Sequence, residues 1–207
     1  ISDIGGATAE MYGTDCETEE CLKPSCLHPN KCKLFSPGKR YLELLRECRK
    51  IQGVKTIFLG SGIRYDVLLN NPELLEEVML HHSGRFLRIA PEHTEDSVLR
   101  LMRKPPFQTL ESFVLLFNSI NRKLKRKIEL APYLIVGHPG EKRADVAEMK
   151  KKLKSLGMAS TDVQIFTPTP GTLSTAMYYA ECDPSFKLIP VEKAIGQLME
   201  RKRLLSP

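Results

Sequence analysis

Residues 131–141 predict a strand that stops at a loop rich in glycine and proline. Pro132 suits the first position of a strand, and the next four residues, Tyr-Leu-Ile-Val, are apolar and β-prone. The Gly-His-Pro-Gly sequence that follows cannot continue a strand or a helix. Because a helical pattern resumes after Glu141, the stretch predicts a strand-loop-helix unit.

The same order of strand, loop and helix recurs along the chain. Apolar, β-prone runs predict five strands, at 1–4, 54–60, 85–90, 131–136 and 162–167. Periodic apolar positions predict helices at 39–51, 72–82, 96–103, 109–125, 143–156, 175–179 and 190–205. Strands that alternate with helices indicate right-handed crossovers, and therefore an α/β fold with a parallel sheet. Five strands are too few to close an eight-stranded barrel, so the sheet is open or lacks a neighbour before Ile1.

The loops after the predicted strands should meet at one edge of the sheet, because parallel strands share their carboxyl ends. In such folds this edge is where ligands bind. The loops that this reasoning brings together are 3–6, 61–66, 91–96, 137–141 and 168–172. We therefore look for function at this edge.

Four of these loops carry candidate ligand contacts. Gly5 and Gly6 allow a ligand to lie against bare backbone, and Arg64 can face a carboxylate or a phosphate. Glu92 offers a carboxylate, and residues 137–141 combine close backbone approach with exposed amides. Each feature has a plainer alternative: the glycines can serve a tight turn, and the arginine can bridge loops.

The histidines near these loops carry a different signal. Glu92 and His93 point in different directions from a strand, which disfavours a proton-transfer pair between them. His81 and His82 close a predicted helix, and we interpret them as cationic residues at a helix C-terminus rather than metal ligands.

Charge and hydropathy are those of an ordinary globular domain. Hydrophobic residues make up 42% of the 207 residues, and no apolar run reaches the roughly 18 residues that a membrane span needs. The net charge of +6 includes basic clusters at 122–127, 150–152 and 201–203. Each cluster lies in or beside a predicted helix, so we interpret the clusters as solvated helix faces, with a nucleic-acid surface as the alternative.

Four of the six cysteines lie in a loop, residues 11–36, that shows no helical or strand period. They are Cys16, Cys21, Cys26 and Cys32, with His28 among them. The loop has too few apolar residues to fold alone, so a metal site, zinc or iron-sulfur, would explain how it is ordered. A disulfide framework would need an oxidising compartment, and unliganded thiols are the third possibility. We favour the metal site, although the spacing is wider than a zinc knuckle.

Taken together, these motifs make the chain resemble the radical S-adenosylmethionine superfamily and, within it, the YgiQ-like family. The resemblance rests on the cysteine-rich loop and on five segments, at 2–12, 61–66, 89–95, 138–140 and 175–179. It implies a partial (β/α)6 TIM-like barrel of parallel strands, of which five βα units are present. Residues 1–185 would form this partial core with the insertion at 11–36, and residues 186–207 a C-terminal helix leading out of it.

The resemblance also implies roles for the residues at the strand ends. Gly5 and Gly6 would hold the methionine amino group of the cofactor, although Ala7 stands where the superfamily often has glutamate. Glu92 would contact the methionine and ribose. The loop at 137–141, with Gly137, His138 and Gly140, would lie near the adenine, and Arg64 would share the same site.

One element of the superfamily is absent from the sequence. The Cys-x3-Cys-x2-Cys motif that holds a 4Fe-4S cluster does not occur, and the four loop cysteines do not have that spacing. The resemblance implies that this motif lies before Ile1, and that the chain alone does not turn over. It further implies S-adenosylmethionine as cofactor, an external electron donor, an unknown substrate and a cytoplasmic location. The alternative is a non-catalytic, metal-stabilised module that binds RNA or another acidic partner.

Overall fold

The computed structural model of the chain describes residues 1–6, 9–14, 21–22, 25–28, 31–158 and 162–206. Three strands, β1 (Phe86–Glu92), β2 (Glu129–Val136) and β3 (Asp162–Ile165), form a sheet in the order β1-β2-β3, and β2 pairs with β3 in parallel. The helices are α1 (Lys39–Lys50), α2 (Tyr65–Leu68), α3 (Pro72–Glu77), α4 (Asp96–Leu101), α5 (Phe107–Lys123), α6 (Arg143–Ser155), α7 (Leu173–Ala180) and α8 (Ile195–Leu205). Two short turns of other helix types occur at Ala9–Met11 and Val78–His82. The predicted α/β class is confirmed.

Most predicted helices are confirmed to within a few residues, because one apolar face defines each of them. In α1 this face is formed by Tyr41, Leu42 and Leu45, which are all buried. α3 begins with Pro72 at its first position and continues into a π-helical turn up to His82. In the part of the chain that the structure describes, every helix is too short or too polar to cross a lipid bilayer.

The last helix begins later than predicted, at Ile195 instead of Pro190. Two local hydrogen bonds account for the difference. The carbonyl of Pro190 accepts from the backbone N–H of Gly140 at 2.8 Å, and the side chain of Glu192 accepts from the N–H of Ala194 at 2.9 Å. The Pro190 carbonyl and the Ala194 N–H are therefore not available for the hydrogen bonds of a helical turn at 190–194.

Three of the five predicted strands are confirmed, whereas the predictions of strands at 1–4 and 54–60 are wrong. These two segments still lie side by side, since Phe58 N–H donates to the carbonyl of Ile1 and Ile4 N–H to that of Phe58, both at 3.0 Å. The carboxylate of Asp3, however, accepts from the backbone N–H of Gly60 at 3.0 Å. A side chain that takes backbone donors in this way interrupts a regular ladder.

The chain divides into two compact units. Unit 1 contains Ile1–Ile89 and Ser112–Leu130, and unit 2 contains Ala90–Glu111 and Ala131–Pro207. The core of unit 1 includes the rings of Tyr65, Phe113 and Phe117, whose successive centroids are 6.0 and 6.2 Å apart. In unit 2, α8 packs against α6 and β3, so the residues predicted to lead out of the core belong to this unit.

The two histidines at the end of the π-helical turn, His81 and His82, have different surroundings. His82 is fully buried, with Nδ1 3.0 Å from the carbonyl oxygen of Ile57 and Nε2 3.4 Å from Oε1 of Glu77. Burial lowers the pKa of His81. The lowered pKa disfavours a cationic His81, whereas the cationic role of His82 at the helix end stays a prediction.

Several lysines of the basic clusters are paired with acidic side chains on neighbouring turns or helices. Lys123 lies 2.5 Å from Glu76, and Lys151 lies 2.7 Å from Glu148. Exposed pairs of this kind contribute only about 0–1 kcal/mol each. They support the interpretation of the clusters at 122–127 and 150–152 as solvated helix faces. In the cluster at 201–203 this interpretation is wrong for Arg201, which is buried.

Candidate functional site

A cleft of about 390 Å³ lies in unit 2, on one face of β2 and β3 and beyond their carboxyl ends. Tyr133 and Ile135 of β2 and Phe166, just after β3, give it an apolar floor. Leu134 and Val136 alternate with these residues along β2 and are fully buried on the other face. The period of two that predicts the strand therefore also places Tyr133 and Ile135 in the cleft.

The wall of the cleft is a loop rich in threonine that follows β3. Thr167, Thr169, Thr172 and Ser174 line it, and Thr172 caps α7 by accepting from the backbone N–H of Thr175 at 3.2 Å. The carbonyl of Thr169 accepts from the hydroxyls of Thr172 at 3.0 Å and Thr175 at 2.7 Å. The loop is thus held by its own hydroxyl groups, and it presents a polar surface opposite the apolar floor.

His138, a predicted cofactor contact, lines the cleft although its side chain is almost fully buried. Its Nδ1 is 2.8 Å from the carbonyl oxygen of Pro139, and its Nε2 is 2.8 Å from Oγ of Ser174. The ring meets that of Phe166 edge to face, with centroids 5.2 Å apart. Burial lowers the pKa of His138 below its ordinary value, so the imidazole is neutral at neutral pH.

Glu92, a second predicted contact, lines the same cleft from the end of β1. Its backbone has a φ of +65°, which is unusual for a residue other than glycine. Lys104 holds the side chain, with Nζ 2.8 Å from Oε1 of Glu92 and donating to the carbonyl of Ala90 at 3.1 Å. A strained backbone fixed by an ion pair beside a cleft is typical of a functional position.

The other two predicted contacts in the glycine-proline loop, Gly137 and Gly140, are not among the described residues that line the cleft. The N–H of Gly137 donates to Oε1 of Glu141 at 2.9 Å, and that of Gly140 donates to the carbonyl of Pro190 at 2.8 Å. These two amides are therefore used inside unit 2, in contrast to the predicted exposed amides.

A buried carboxylate, Glu141, joins three parts of unit 2, and the sequence reasoning missed this role. Oε2 lies 3.3 Å from Nε2 of His93, and Oε1 lies 2.8 Å from Nη1 of Arg201 on α8. The backbone N–H of Glu95 donates to Nδ1 of His93, so the proton of a neutral His93 is on Nε2 and faces Glu141. Glu192 is a second partner of Arg201, at 3.2 Å. The network fixes the two loops from which Glu92 and His138 reach the cleft.

Packing explains why the loop needs glycines. Gly137 has a φ of +79°, and a Cβ there would lie 2.3 Å from Cδ2 of Leu198. At Gly140, with a φ of +93°, a Cβ would lie 2.3 Å from Cδ1 of Leu101. The plainer interpretation, a tight turn with close packing, thus accounts for both residues.

Replacing Gly137 with alanine should lower the free energy of unfolding by roughly 2–4 kcal/mol, from left-handed strain and overpacking together. Gly157 provides a matched control, because its φ is +70° and nothing lies within 4 Å of the position that a Cβ would take. We expect Gly157→Ala to show only the strain, about 1–2 kcal/mol, in urea unfolding. Equal losses in the two variants would contradict the packing argument.

The other predicted contacts, Gly5, Gly6 and Arg64, belong to unit 1. Gly5 N–H donates to Oδ1 of Asp3 at 2.8 Å, while Gly6 has a φ of +152° and open space beside its Cα. The guanidinium of Arg64 forms a bidentate pair with Asp66, at 2.7 and 3.1 Å. Cofactor contact by these residues stays a prediction.

Glu10 is a buried carboxylate of unit 1 that sequence reasoning missed. Oε1 accepts from the backbone N–H of Arg64 at 2.9 Å, and Oε2 has no hydrogen-bond partner among the described residues. Burial raises the pKa of Glu10, and burial together with the nearby carboxylates raises the pKa of Tyr41. A single acidic residue between Ala9 and Met11 gives no sequence signal for such an environment.

The described cysteines of the insertion, Cys21, Cys26 and Cys32, carry free thiols. The backbone N–H of Cys32 donates to the carbonyl of Cys26 at 2.8 Å. Cys16 lies outside the described residues, and within those residues no three ligand side chains are grouped around a metal position. The metal site, like its four predicted ligands, stays a prediction.

Comparison with known proteins identifies relatives over nearly the whole chain, although no protein-family model matches it. The chain is 39% identical over 217 aligned positions to a UPF0313 protein of Vibrio parahaemolyticus, covering 99% of the chain and 28% of that relative. UPF0313 proteins of Methanosarcina mazei and Fusobacterium nucleatum are 42% and 41% identical, with 89% and 100% of the chain covered. The chain is thus similar to part of the UPF0313 proteins, and it spans 28% to 38% of the length of these three relatives.

Proposed function

We propose that the full-length protein is a radical S-adenosylmethionine enzyme and that the unit 2 cleft binds the cofactor. The cleft is the observation that carries this proposal. Residues from three successive strand ends, Glu92, His138 and Phe166, line one cavity. The resemblance implies that Glu92 contacts the methionine and ribose of the cofactor and that His138 lies near its adenine. The names of the UPF0313 relatives state no activity, so the proposal rests on the cleft and on the resemblance.

The chemistry of the cleft fits S-adenosylmethionine. Its volume of about 390 Å³ lies in the range of small-molecule sites. The rings of Tyr133 and Phe166 suit a flat base, and the hydroxyl-lined wall suits the ribose. The carboxylate of Glu92 would attract the positively charged sulfonium or ammonium group. The neutral His138 adds no positive charge that would oppose such a cation.

These 207 residues contain no motif that could hold the iron-sulfur cluster, because the three-cysteine motif does not occur in them. Its ligands would come from outside these 207 residues. When bound together, and with one electron from an external donor, the cluster and the cofactor would supply a 5'-deoxyadenosyl radical for hydrogen abstraction. The residues of unit 2 would contribute binding and orientation, and they would exclude water from the base through the apolar floor.

We further propose the partial (β/α)6 barrel and a cytoplasmic location. Within unit 1, Ile63 pairs with Ile89 in parallel, and within unit 2, β2 pairs with β3 in parallel. Sequential, parallel neighbours of this kind are the arrangement of a (β/α) barrel.

Binding of S-adenosylmethionine to the full-length protein, measured by calorimetry without oxygen, tests the cleft. We expect one molecule per chain, with adenosine as a weaker competitor for the same site. Lack of binding at about 1 mM ligand, which corresponds to a binding free energy weaker than about 4 kcal/mol, would contradict the proposal.

The cysteine-rich insertion is proposed to bind a metal ion or a second cluster. Metal analysis of the purified full-length protein should find zinc, or iron beyond that of the proposed 4Fe-4S cluster, that is lost when Cys26 and Cys32 are both replaced by serine. Cys48 and Cys182 are free thiols elsewhere in the chain, so their serine variants serve as controls that keep the metal. Unchanged metal content in the Cys26 and Cys32 variant would contradict the site.

A further inference from the structure

The contact between His138 and Ser174 joins the loop after β2 to the first turn of α7. The carbonyl oxygen of Pro139, 2.8 Å from Nδ1, can only accept a hydrogen bond, so Nδ1 carries the proton. Nε2 therefore presents a lone pair, and the hydroxyl of Ser174 donates to it at 2.8 Å. The hydrogen bond on the far side of the ring thus fixes the tautomer in which the near nitrogen is a base.

The surroundings of His138 keep it a neutral base that can accept a proton. Burial is the main cause that lowers the pKa of His138, and the proximity of His93 acts in the same direction. Glu92 at the end of β1 and Glu141 in the same loop act in the opposite direction, since their charges stabilise an imidazolium. Phe166 covers one edge of the ring. A proton taken up at Nε2 would therefore meet two carboxylates nearby.

Ser174 lies where a bound molecule can reach it. Its side chain is half-buried and lines the cleft, beside Thr172. The next hydroxyl along the helix, that of Thr175, instead donates to the carbonyl of Thr169 at 2.7 Å. A carbonyl cannot take a proton from a hydroxyl at neutral pH, whereas the imidazole can. Ser174 thus differs from the other hydroxyls of the wall in having a base as its acceptor.

We propose that Ser174 and His138 form a proton-transfer pair on the wall of the cleft, acting on a bound molecule that presents a hydroxyl or amine. The ligand proton passes to Oγ of Ser174 as the serine proton passes to Nε2 of His138. The electron pair of the broken O–H or N–H bond stays on the ligand atom, and the reverse transfer restores the starting state. The step needs no oxidant or reductant, and it does not depend on the proposed radical chemistry.

Diisopropyl fluorophosphate is a probe that needs neither cluster nor cofactor. In its reaction with an activated serine, an Oγ–P bond forms, the P–F bond breaks, the Oγ proton passes to the histidine and fluoride leaves. Ser155 is a control in the same molecule, because its Oγ donates to the carbonyl of Lys152 at 2.8 Å and has no base beside it. Mass spectrometry of peptides from the full-length protein measures both rates in one sample.

We expect Ser174 to be modified at least about 100-fold faster than Ser155, the usual contribution of a positioned general base. The rate should rise with pH through a pKa below the ordinary histidine value, as His138 loses its proton. His138→Gln should bring Ser174 to the rate of Ser155. The circular dichroism spectrum of this variant shows whether it is folded. The rate at which its Ser155 is modified, compared with that of the wild-type protein, is a second check.

Equal rates at the two serines of the wild-type protein would overturn the pair, and this comparison requires no variant to fold. Fast modification of Ser174 that persists in a folded His138→Gln protein would also overturn it. Failure here would leave the cofactor proposal standing, since the binding of S-adenosylmethionine is measured separately.

Discussion

Replacing Arg201 with methionine should lower the free energy of unfolding by about 3–5 kcal/mol. Arg201 reaches a carboxylate, Glu141, that is fully buried and whose Oε1 lies 2.8 Å away. Methionine has a similar length but no charge, so the variant leaves the carboxylate in a medium that solvates it poorly. Gly137 N–H and Nε2 of His93 remain as its partners after the guanidinium is removed.

Arg143 and Glu200 supply the matched control. They form an ion pair at 2.6 Å, but their side chains are 67% and 45% exposed, so water screens the pair. We expect Glu200→Gln to change the free energy of unfolding by at most about 1 kcal/mol in urea. A second test is the double variant Arg201→Met with Glu141→Leu, which removes both charges and should recover part of the loss. A loss below about 1 kcal/mol for Arg201→Met alone would contradict the buried network.

Replacing Glu92 with glutamine should weaken the binding of S-adenosylmethionine by about 10- to 100-fold, the value of one charge-assisted contact. The change removes the negative charge of the cleft but keeps the size of the side chain. Lys104 retains the carbonyl of Ala90 as a partner, so the end of β1 should stay in place. Calorimetry on the full-length protein measures the dissociation constant.

Glu95 is the control for this variant. It belongs to the same loop as Glu92, and it pairs with Lys152 at 2.9 Å rather than lining the cleft. Glu95→Gln should therefore leave the dissociation constant within a factor of about 3. If the two variants bound the cofactor equally well, Glu92 would not be the contact that we propose.

Local sequence patterns were sufficient for the elements that carry the site. The run from Tyr133 to Val136 and the loop after it predict β2 and its end correctly, and strand alternation accounts for the cleft floor. The parallel-sheet rule brings Glu92 and His138 into one cleft, because it depends only on strand direction. Helix boundaries follow where an apolar face and a proline start signal agree, as at Pro72.

The rest of the site depends on contacts between residues far apart in sequence. Glu141 meets His93 and Arg201 across 48 and 60 residues, and His138 meets Ser174 across 36. No local period encodes such pairings, since each partner alone looks like an ordinary surface residue. The side chain of Asp3 likewise interrupts two predicted strands through a contact with Gly60, 57 residues away. Side-chain competition for backbone donors overrides β propensity there.

The most direct test of the proposed function is the formation of 5'-deoxyadenosine by the full-length protein. The protein is purified without oxygen, reconstituted with iron and sulfide, and incubated with S-adenosylmethionine and a reductant, with an unreduced sample as control. We expect 5'-deoxyadenosine in the reduced sample only. Absence of this product from protein with an intact cluster, together with RNA binding that weakens steeply with salt, would contradict the enzyme and favour the binding module.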